Sequence, residues 1–460
     1  MSTAALPGFR DFYPDEFAQR SWLFERWRSV ARRFGFQEYD GPPLEPLELY
    51  TRKSGDEIVG QLYNFEDKGG RAVALRPEMT PTVSRMVAAR ANALRKPVRW
   101  FSIPQLFRYE RQQKGRLREH FQLNVDIFGE DNVAADAELL AVACEIMRAC
   151  GLGPDAVQAR VSDRRLLTAI LEALGVPTSC LSVAFGAIDK IDRDPVDVLV
   201  QRMVSGGIPE HAAAESLRVA RDSSLSDIRA SLAHDARVGE ALDRFDRYAA
   251  LLQAHGVHEY LSFDLRIVRG LAYYTGIVFE LFDTQGEFRA ICGGGRYDNL
   301  LKDLGGVDLP ALGFGMGDVV LGELLKARGK MPAAEAGVDV WVVPEEGVHA
   351  ERVVAAAAAL RRLGLSSDYV LNTEKLASQK SSKQMDAARK AGARYALLLQ
   401  QGDVAPLRDL RGGGEPLATP VSAWLDATSA GAYLAHRPAD ALDALQEIVR
   451  LRMGAATDRP

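Results

Sequence analysis

The stretch from His120 to Ile127 constrains the fold of this chain more than any other segment. It reads HFQLNVDI, with polar residues at every second position and apolar residues between them. This period is typical of a β-strand that buries one face and turns the other to water or to a ligand. The sequence therefore predicts a strand with a row of polar groups on one face, formed by His120, Gln122, Asn124 and Asp126.

The segment before this strand, RWFSIPQLFRYE, predicts an antiparallel partner. Arg108 and Glu110 are two residues apart and therefore share a face of that partner. A polar, cationic loop of residues 111–116 separates the two halves. A solvated surface hairpin would show the same alternation. The polar face contains few Lys, Thr or Ser residues, however, which favours a binding site.

The size and composition of the chain restrict its class. A length of 460 residues indicates two or three domains. Hydrophobic residues make up 47% and charged residues 26%, as in soluble globular proteins. The net charge of −5 excludes a general attraction to nucleic acid, so such contacts would need local basic patches.

Four cysteines without CxxC spacing suit a reducing compartment. The N-terminus has no signal pattern, and no apolar run reaches membrane-spanning length, so we expect a cytoplasmic protein.

A change of character near residue 330 predicts a boundary between domains at 1–330 and 331–460. The first part includes a polar helical region of about 176–256, which we interpret as an inserted module. The second part shows a βαβαβ pattern, which predicts a small, mostly parallel domain. It has a basic side that includes Lys380 and Lys383. A solvated helix face and contact with phosphates explain such a run equally well.

Residues 75–80, LRPEMT, lie between a predicted strand and a helix that begins near Pro81. Thr80 and Pro81 fit an N-cap and first-turn pair. Glu78 lies just outside the helix, where a carboxylate can bind an amine or serve as a capping or solvated acid.

Farther along, glycines in CGGGRYDNL indicate a close approach by backbone or ligand. Asp318 is predicted to cap the helix that follows LGFGMG.

Together these segments resemble the histidyl-tRNA synthetases, a family of class II aminoacyl-tRNA synthetases. FRYERQQKGRLREHFQ is similar to the class II hairpin motif, and RGLAYYTGIVFE and CGGGRYDNL to the histidine-specific signatures. LRPEMTP is similar to the segment that binds the substrate amine, and GFQEYDGPPLEPLELY to the dimer motif. The resemblance covers about residues 5–325. It implies an α+β class II catalytic core with an antiparallel sheet, a helical insertion and a C-terminal α/β anticodon-binding domain.

The resemblance also implies roles for individual residues. Arg108 and Arg269 would be the catalytic cations at the α-phosphate of ATP. The other ATP contacts would come from Glu110, Arg116 and His120, since the alternation turns His120 rather than Phe121 toward the nucleotide. The histidine-binding residues would be Glu78, Thr80, Gln122, Asp126, Tyr273 and Tyr274. Contacts to tRNA would come from Lys114, Lys380 and Lys383.

By the same resemblance, the activity is that of a histidine–tRNA ligase, which forms histidyl-adenylate and transfers histidine to the 3′ end of tRNA(His). The implied partners are ATP with Mg²⁺, histidine, tRNA(His) and a second copy of the chain, with no prosthetic group, no metal bound by side chains and no membrane. Two alternatives stay open: a non-catalytic histidine-binding regulatory paralogue and a tRNA-sensing module.

Two positions depart from the family pattern. Ala272 stands where the family signature usually has an acid. Val320 stands where the third class II motif normally carries an arginine for the γ-phosphate. The intact Arg108 and Arg269 favour a working enzyme, with the γ-phosphate partner left open.

Overall fold

The structure is a computed structural model. It divides into two compact units: unit 1 holds the described residues of 1–12 and 19–332, and unit 2 those of 13–18 and 333–460. The residues that it describes are 4–54, 60–109, 117–268, 274–333, 337–362, 365–402, 404–411 and 416–420.

Unit 1 contains two sheets. Their strands, in chain order, are β1 (Gln37–Glu38), β2 (Leu44–Pro46), β3 (Asn64–Glu66), β4 (Ala72–Leu75), β5 (Val98–Ser102), β6 (Gln105–Phe107), β7 (Glu119–Phe128), β8 (Val157–Asp163), β9 (Leu261–Phe263), β10 (Ile277–Asp283), β11 (Cys292–Arg296) and β12 (Ala311–Gly317).

The larger sheet is mostly antiparallel. Within the described residues it has nine strands, in the order β1-β5-β7-β12-β11-β10-β8-β9, with β6 paired to β7 off this path. Only the outer pairs, β1 with β5 and β8 with β9, run parallel among these strands. The predicted antiparallel partner of β7 is confirmed, because Leu106 of β6 lies opposite His120. Strand β7 is near the centre, between β5 and β12.

Helices cover this sheet and form the insertion. The helices of unit 1 are α1 (Pro14–Arg33, of which residues 19–33 belong to unit 1), α2 (Glu48–Ser54), α3 (Thr80–Ala89), α4 (Val133–Ala149), α5 (Arg164–Ala173), α6 (Leu181–Ile188), α7 (Val196–Ser205), α8 (Glu210–Asp222), α9 (Leu225–Leu232), α10 (Ala236–Ala254), α11 (Leu300–Gly305) and α12 (Asp318–Ala327).

The main core lies between the sheet and helices α1 and α4. Leu123, Val125 and Ile127, the apolar residues of β7, are fully or almost fully buried in it. Leu23 and Trp27 of α1 belong to the same cluster. Burying one such side chain stabilises a fold by roughly 1.5–3 kcal/mol, so the alternating pattern fixes which face of β7 meets the core. The opposite face is left for the polar residues.

The helical insertion has a core of its own. Side chains of α5 to α10 form a second buried cluster, which includes Leu167, Ile188, Leu217 and Leu242. The small sheet of unit 1 has the order β2-β4-β3 and exposes Leu44 and Phe65.

Unit 2 is an α/β structure with one sheet. Its described elements are β13 (Val340–Pro344), α13 (Ala350–Arg362), β14 (Ser367–Asp368), α14 (Thr373–Ser378), α15 (Ser381–Lys390), β15 (Tyr395–Leu399), β16 (Val404–Asp409) and β17 (Leu417–Pro420). Strand β13 pairs in parallel with β14 and β15, as predicted. Strands β16 and β17 add an antiparallel edge that the βαβαβ pattern did not predict. In the described part of the chain, no helix is both long and apolar enough to cross a membrane.

Two predicted helix caps are wrong. Met79, not Thr80, is the N-cap of α3, and its side chain makes no capping hydrogen bond; Thr80 is the first helical residue, and its neighbour Pro81 falls in the first turn. Gly317, not Asp318, is the N-cap of α12. The carboxylate of Asp318 is engaged elsewhere, which a pattern of local spacing does not reveal.

Candidate active site

A cavity of about 110 Å³ lies over the polar face of β7. Gln122, Asn124 and Asp126 line it from β7, and glycines of β11 and β12 form part of its wall. Six residues that the sequence analysis assigned to a site are brought together around this cavity: Glu78, Thr80, Arg108, Gln122, Asp126 and Tyr274.

Asp126 and two tyrosines form one end of the cavity. The Asp126 side chain is only 4% exposed, and its Oδ1 accepts a hydrogen bond of 2.5 Å from the hydroxyl of Tyr297. Tyr274 is also buried, and both tyrosine rings pack in an apolar cluster with Val83 and Val278. A carboxylate and a phenol held in this way can bind a ring that offers hydrogen-bonding atoms on two sides.

Glycines let the neighbouring strand approach the polar face. Gly313 of β12 lies opposite Asp126 in the ladder. A Cβ atom at Gly313 would lie 2.0 Å from Asp126 Oδ1, and one at Gly315 would lie 2.7 Å from Gln122 Cδ. Atoms cannot approach so closely without displacement. Any side chain larger than hydrogen at Gly313 would therefore move the carboxylate of Asp126.

The segment that carries Glu78 and Thr80 is held by Arg76. Its guanidinium donates from Nη1 to the carbonyl oxygen of Gly41 at 2.7 Å and from Nε to that of Gln105 at 3.1 Å. The Arg76 side chain is almost fully buried. These bonds help to fix the turn before α3, and this turn places Glu78 and Thr80 in the lining of the cavity.

Arg108 continues the polar wall beyond β6. Its backbone N–H donates to the carbonyl oxygen of Arg118 at 3.0 Å, which prolongs the pairing of β6 with β7. Its Nε donates to the carbonyl oxygen of Pro77 at 2.9 Å. This bond helps to fix the guanidinium, which places a planar, permanently charged group in the lining of the cavity.

His120 lies at the start of the polar face, on β7. Burial, with further repulsion from Arg108 and Arg10, lowers the pKa of His120 to about 3. The imidazole is therefore neutral at physiological pH. Phe121 points the other way, with its ring 5.2 Å from that of Phe24 in the core. The opposite orientations of these two neighbours follow the alternation of the strand.

An ion cluster fixes the beginning of β7 and of α12. Arg10 donates from Nε to Glu119 at 2.6 Å and from Nη1 to Asp318 at 2.9 Å. The second oxygen of Asp318 accepts from the backbone N–H of Phe121 at 2.9 Å. Burial raises the pKa of the Asp318 carboxyl, although Arg10 opposes that rise. Asp318 thus joins three segments instead of capping its own helix.

The other predicted site residues either fall outside the described residues or belong to unit 2. Glu110, Lys114, Arg116, Arg269 and Tyr273 fall outside the described residues. Lys380 and Lys383 lie in unit 2 at the start of α15, both exposed. Val320 packs against the main core, so this position supplies an apolar side chain rather than a cation.

The cavity includes residues that the sequence analysis did not assign to the site. Tyr297 follows the glycines of CGGGRYDNL, and Asn124 is on the predicted polar face. Alternation could have identified Asn124. The contact of Tyr297 with Asp126 joins residues that are 171 positions apart, so local sequence gave no signal for it.

The architecture and the cavity define a class of protein. A mostly antiparallel sheet with a polar central strand, a helical insertion and a separate α/β unit together form the structure of a class II aminoacyl-tRNA synthetase. A family model described as Histidyl-tRNA synthetase matches residues 8–317. The chain belongs to this family.

Individual relatives agree with the family assignment. The chain is 45% identical over 426 residues to a histidine–tRNA ligase of Opitutus terrae, which covers 88% of this chain and 93% of that protein. It is 38% identical to a histidine–tRNA ligase of Thermoplasma volcanium, over 91% of this chain and 97% of that protein. The crystal structure of histidyl-tRNA synthetase from Nostoc shares the fold, with a TM-score of 0.78, 21% identity and coverage of 98% of this chain and 99% of that one.

Proposed function

We propose that this protein is a histidine–tRNA ligase, which activates histidine with ATP and transfers it to the 3′ end of tRNA(His). One observation carries the proposal: Glu78, Arg108, Asp126 and Tyr274 line a single cavity although they are widely separated in sequence. Relatives that share 38–45% of their residues with the chain are histidine–tRNA ligases, which supports the same reading.

Activation needs positioned charge rather than an enzyme nucleophile. The carboxylate of histidine attacks the α-phosphorus of ATP, the bond from that phosphorus to the bridging oxygen breaks, and pyrophosphate leaves. Negative charge grows on the α-phosphate oxygens as this happens. Arg108, held by its bond to Pro77, offers a fixed cation at that point, and a preorganised donor of this kind contributes on the order of 3 kcal/mol to lowering the barrier. By family resemblance, Arg269 supplies a second cation.

The histidine side chain would be recognised at the tyrosine end of the cavity. Asp126 accepts from one imidazole nitrogen and Tyr274 contacts the other, while Tyr297 holds the carboxylate in place through its hydroxyl. Glu78, Thr80 and Gln122 bind the amino group, with Tyr273 beside the ring. A buried site that pairs with its substrate can reject an isostere that lacks those atoms by roughly 10⁴.

The nucleotide would lie toward the start of β7. A neutral His120 can stack on adenine without repelling Arg108, and Glu110 and Arg116 complete the contacts by family resemblance. Mg²⁺ would enter with the phosphates of ATP. Among the described residues, no group of three His, Cys, Asp or Glu side chains could hold a metal, and Arg10 engages the carboxylates of Glu119 and Asp318. We assign no prosthetic group.

We propose a catalytic domain of residues 1–330 and an anticodon-binding domain of residues 331–460. The exposed Lys380 and Lys383 of α15, with Lys114 of the catalytic domain, would contact tRNA phosphates. Deletion of everything past residue 330 should spare histidine-dependent pyrophosphate exchange and weaken charging of tRNA. Unaltered charging by the truncated protein would contradict this role.

We further propose that the protein is a cytoplasmic homodimer. The small sheet β2-β4-β3 leaves Leu44 and Phe65 exposed, 37% and 52% respectively, and Leu44 lies in the segment that resembles the family's dimer motif. Light scattering on the purified protein should give twice the mass of one chain. A monomer at micromolar concentration would contradict the proposal.

Pyrophosphate exchange tests the activity against its alternatives. A ligase incorporates labelled pyrophosphate into ATP only when histidine is present, whereas a regulatory paralogue or a tRNA-sensing module does not. We expect exchange that depends on histidine. A folded protein that binds histidine and shows no exchange would remove the ligase proposal.

A further inference from the structure

A groove lined with arginines lies outside the cavity described above. It has a volume of about 570 Å³ and runs between α5 and α10. Its lining includes five arginines but only two acids, Glu172 and Glu240. The arginines are Arg164, Arg165, Arg237, Arg244 and Arg247.

Only two of the five arginines have a carboxylate partner within hydrogen-bonding distance among the described residues. Arg237 pairs with Glu172 at 2.5 Å and with Asp235 at 3.1 Å. Arg165 pairs with Asp298 at 3.5 Å. The Arg164 guanidinium lies over the ring of Phe185, and in the described part of the chain Arg247 makes no ion pair. The groove therefore has an excess of positive charge.

Arg244 is the least satisfied of these side chains. It is 18% exposed, and its Nε and Nη2 are buried with no hydrogen-bond partner in the described structure. The nearest carboxylate, Asp136, lies 3.7 Å away and accepts hydrogen bonds from Arg296 at 2.7 and 3.0 Å. Burial, followed by repulsion from Arg165, lowers the pKa of Arg244. An anion in the groove would satisfy the donors and offset the repulsion.

We propose that the groove between α5 and α10 binds phosphate groups of a ligand other than the ATP that reacts with histidine. Guanidinium groups bind phosphate oxygens with two parallel hydrogen bonds, and Arg is the residue best suited to this contact. Arg237 and Arg247 are ten positions apart on α10, with Arg244 between them, which is about 15 Å along the helix axis and room for more than one phosphate.

The position of the groove favours the backbone of the tRNA 3′ end as the source of these phosphates. Tyr274 lines both the groove and the cavity that holds Asp126, so the groove adjoins the pocket proposed for histidine. A strand that delivers its terminal ribose to that site could follow the arginines. This source rests on the proposed function. A free polyphosphate has the same chemistry and is the other source.

Three substitutions that each remove one positive charge test the proposal. Arg244→Gln removes the buried donor, and Arg247→Gln removes an exposed arginine whose loss does not threaten folding. Arg221→Gln is the matched control, because Arg221 lies on α8 of the same insertion, outside the groove, and pairs only with Asp222 among the described residues. Each full-length variant is assayed for pyrophosphate exchange, for the KM of tRNA in charging, and for tripolyphosphate binding by calorimetry.

If the tRNA end supplies the phosphates, Arg244→Gln raises the KM for tRNA at least tenfold and Arg247→Gln severalfold. Exchange and the Arg221→Gln control stay within twofold of the parent protein. If a free polyphosphate is the ligand, both groove variants weaken tripolyphosphate binding and leave the KM for tRNA unchanged.

Groove variants that match the control in both assays would overturn the proposal. A parent protein without histidine-dependent exchange would instead remove the proposed function. The tripolyphosphate measurement would still decide whether the groove binds phosphate.

Discussion

The cavity over β7 and the groove between α5 and α10, both in the described part of unit 1, are built in different ways. The cavity over β7 is small, about 110 Å³, and is formed by strand residues and glycines. The groove between α5 and α10 is about 570 Å³ and is formed by long arginine side chains on two helices. The larger of the two is not the one that gathers the predicted histidine-binding residues. Volume alone would therefore have pointed to the wrong place for the chemistry.

This difference in construction predicts how each site responds to amino-acid substitution. Around β7, the position of each polar group is fixed by backbone pairing and by contacts as close as that of Gly313 with Asp126. Catalysis needs this kind of positioning, because a displacement of about 1 Å can cost 10²-fold in rate. In the groove, flexible side chains with excess charge can follow a polyanion without fixed geometry. We therefore expect a single substitution in the cavity to reduce catalytic activity strongly. A single substitution in the groove should weaken ligand binding by a smaller factor.

Asp126→Ala should have the largest effect. It removes the acceptor for the imidazole, so selectivity for histidine over an isostere without ring nitrogens should fall by roughly 10⁴. Pyrophosphate exchange with each amino acid measures this ratio. The control is Asp131→Ala, since Asp131 is an exposed acid near the end of the same strand. Unchanged histidine affinity in Asp126→Ala would mean that the pocket is misassigned.

Gly313→Ala should reduce kcat/KM for histidine in the exchange reaction by on the order of 10², because the new Cβ displaces the Asp126 carboxylate. The control lies on the same strand. A Cβ at Gly317 meets nothing within 4 Å, so Gly317→Ala should change kcat/KM for histidine little. Equal activity of the two variants would show that close packing of β12 on β7 does not position the site.

Tyr297→Phe should have a smaller effect of roughly tenfold on kcat/KM, which corresponds to about 1.5 kcal/mol, the low end of the contribution of a hydrogen bond to a charged group. The ring stays in its apolar cluster, so thermal stability should change little. Tyr260→Phe serves as the control, because the hydroxyl of Tyr260 donates to the carbonyl oxygen of Leu152. If Tyr297→Phe loses no more activity than Tyr260→Phe, Tyr297 does not hold Asp126 in place for catalysis.

The smallest expected effect is that of His120 on the pH dependence of stability. The fold lowers the pKa of His120 to about 3 from an ordinary value of 6.5, so the native state favours the neutral ring. As pH falls below 6.5, the unfolded chain takes up a proton that the native state does not, and stability is lost. Between pH 7.5 and 5.5 the parent protein should lose about 1 kcal/mol more than His120→Asn.

Urea unfolding of the two proteins at both pH values measures that difference. The other histidines are the same in both proteins, so their contributions to the pH dependence of stability cancel in the comparison. Equal losses would show that His120 is not held neutral. The groove depends on arginines, which stay charged over this range, so phosphate binding there should not follow the same pH dependence.

Much of the fold could be predicted because its signals are local. The alternation of residues 120–127 identified β7, its buried face and the polar face that lines the cavity. The helical insertion and the α/β character of the C-terminal part followed from hydrophobic periodicity in the same way. The antiparallel strands β16 and β17 were missed, because they extend a sheet whose pattern up to that point indicates parallel pairing.

The unpredicted features depend on contacts between distant parts of the chain. Asp318 fits the pattern of a helix cap, yet its carboxylate binds Arg10 and the backbone of Phe121. Tyr297 meets Asp126 because β11, β12 and β7 are neighbours in the sheet. The five arginines of the groove are divided between α5 and α10, and neither helix alone indicates that they form one surface.

A crystal structure with histidine and a non-hydrolysable ATP analogue tests the central claim most directly. We predict the imidazole between Asp126 and Tyr274, the amino group at Glu78 and Thr80, and the α-phosphate at Arg108. Histidine bound in the groove between α5 and α10, or phosphates of the analogue far from Arg108, would contradict the account.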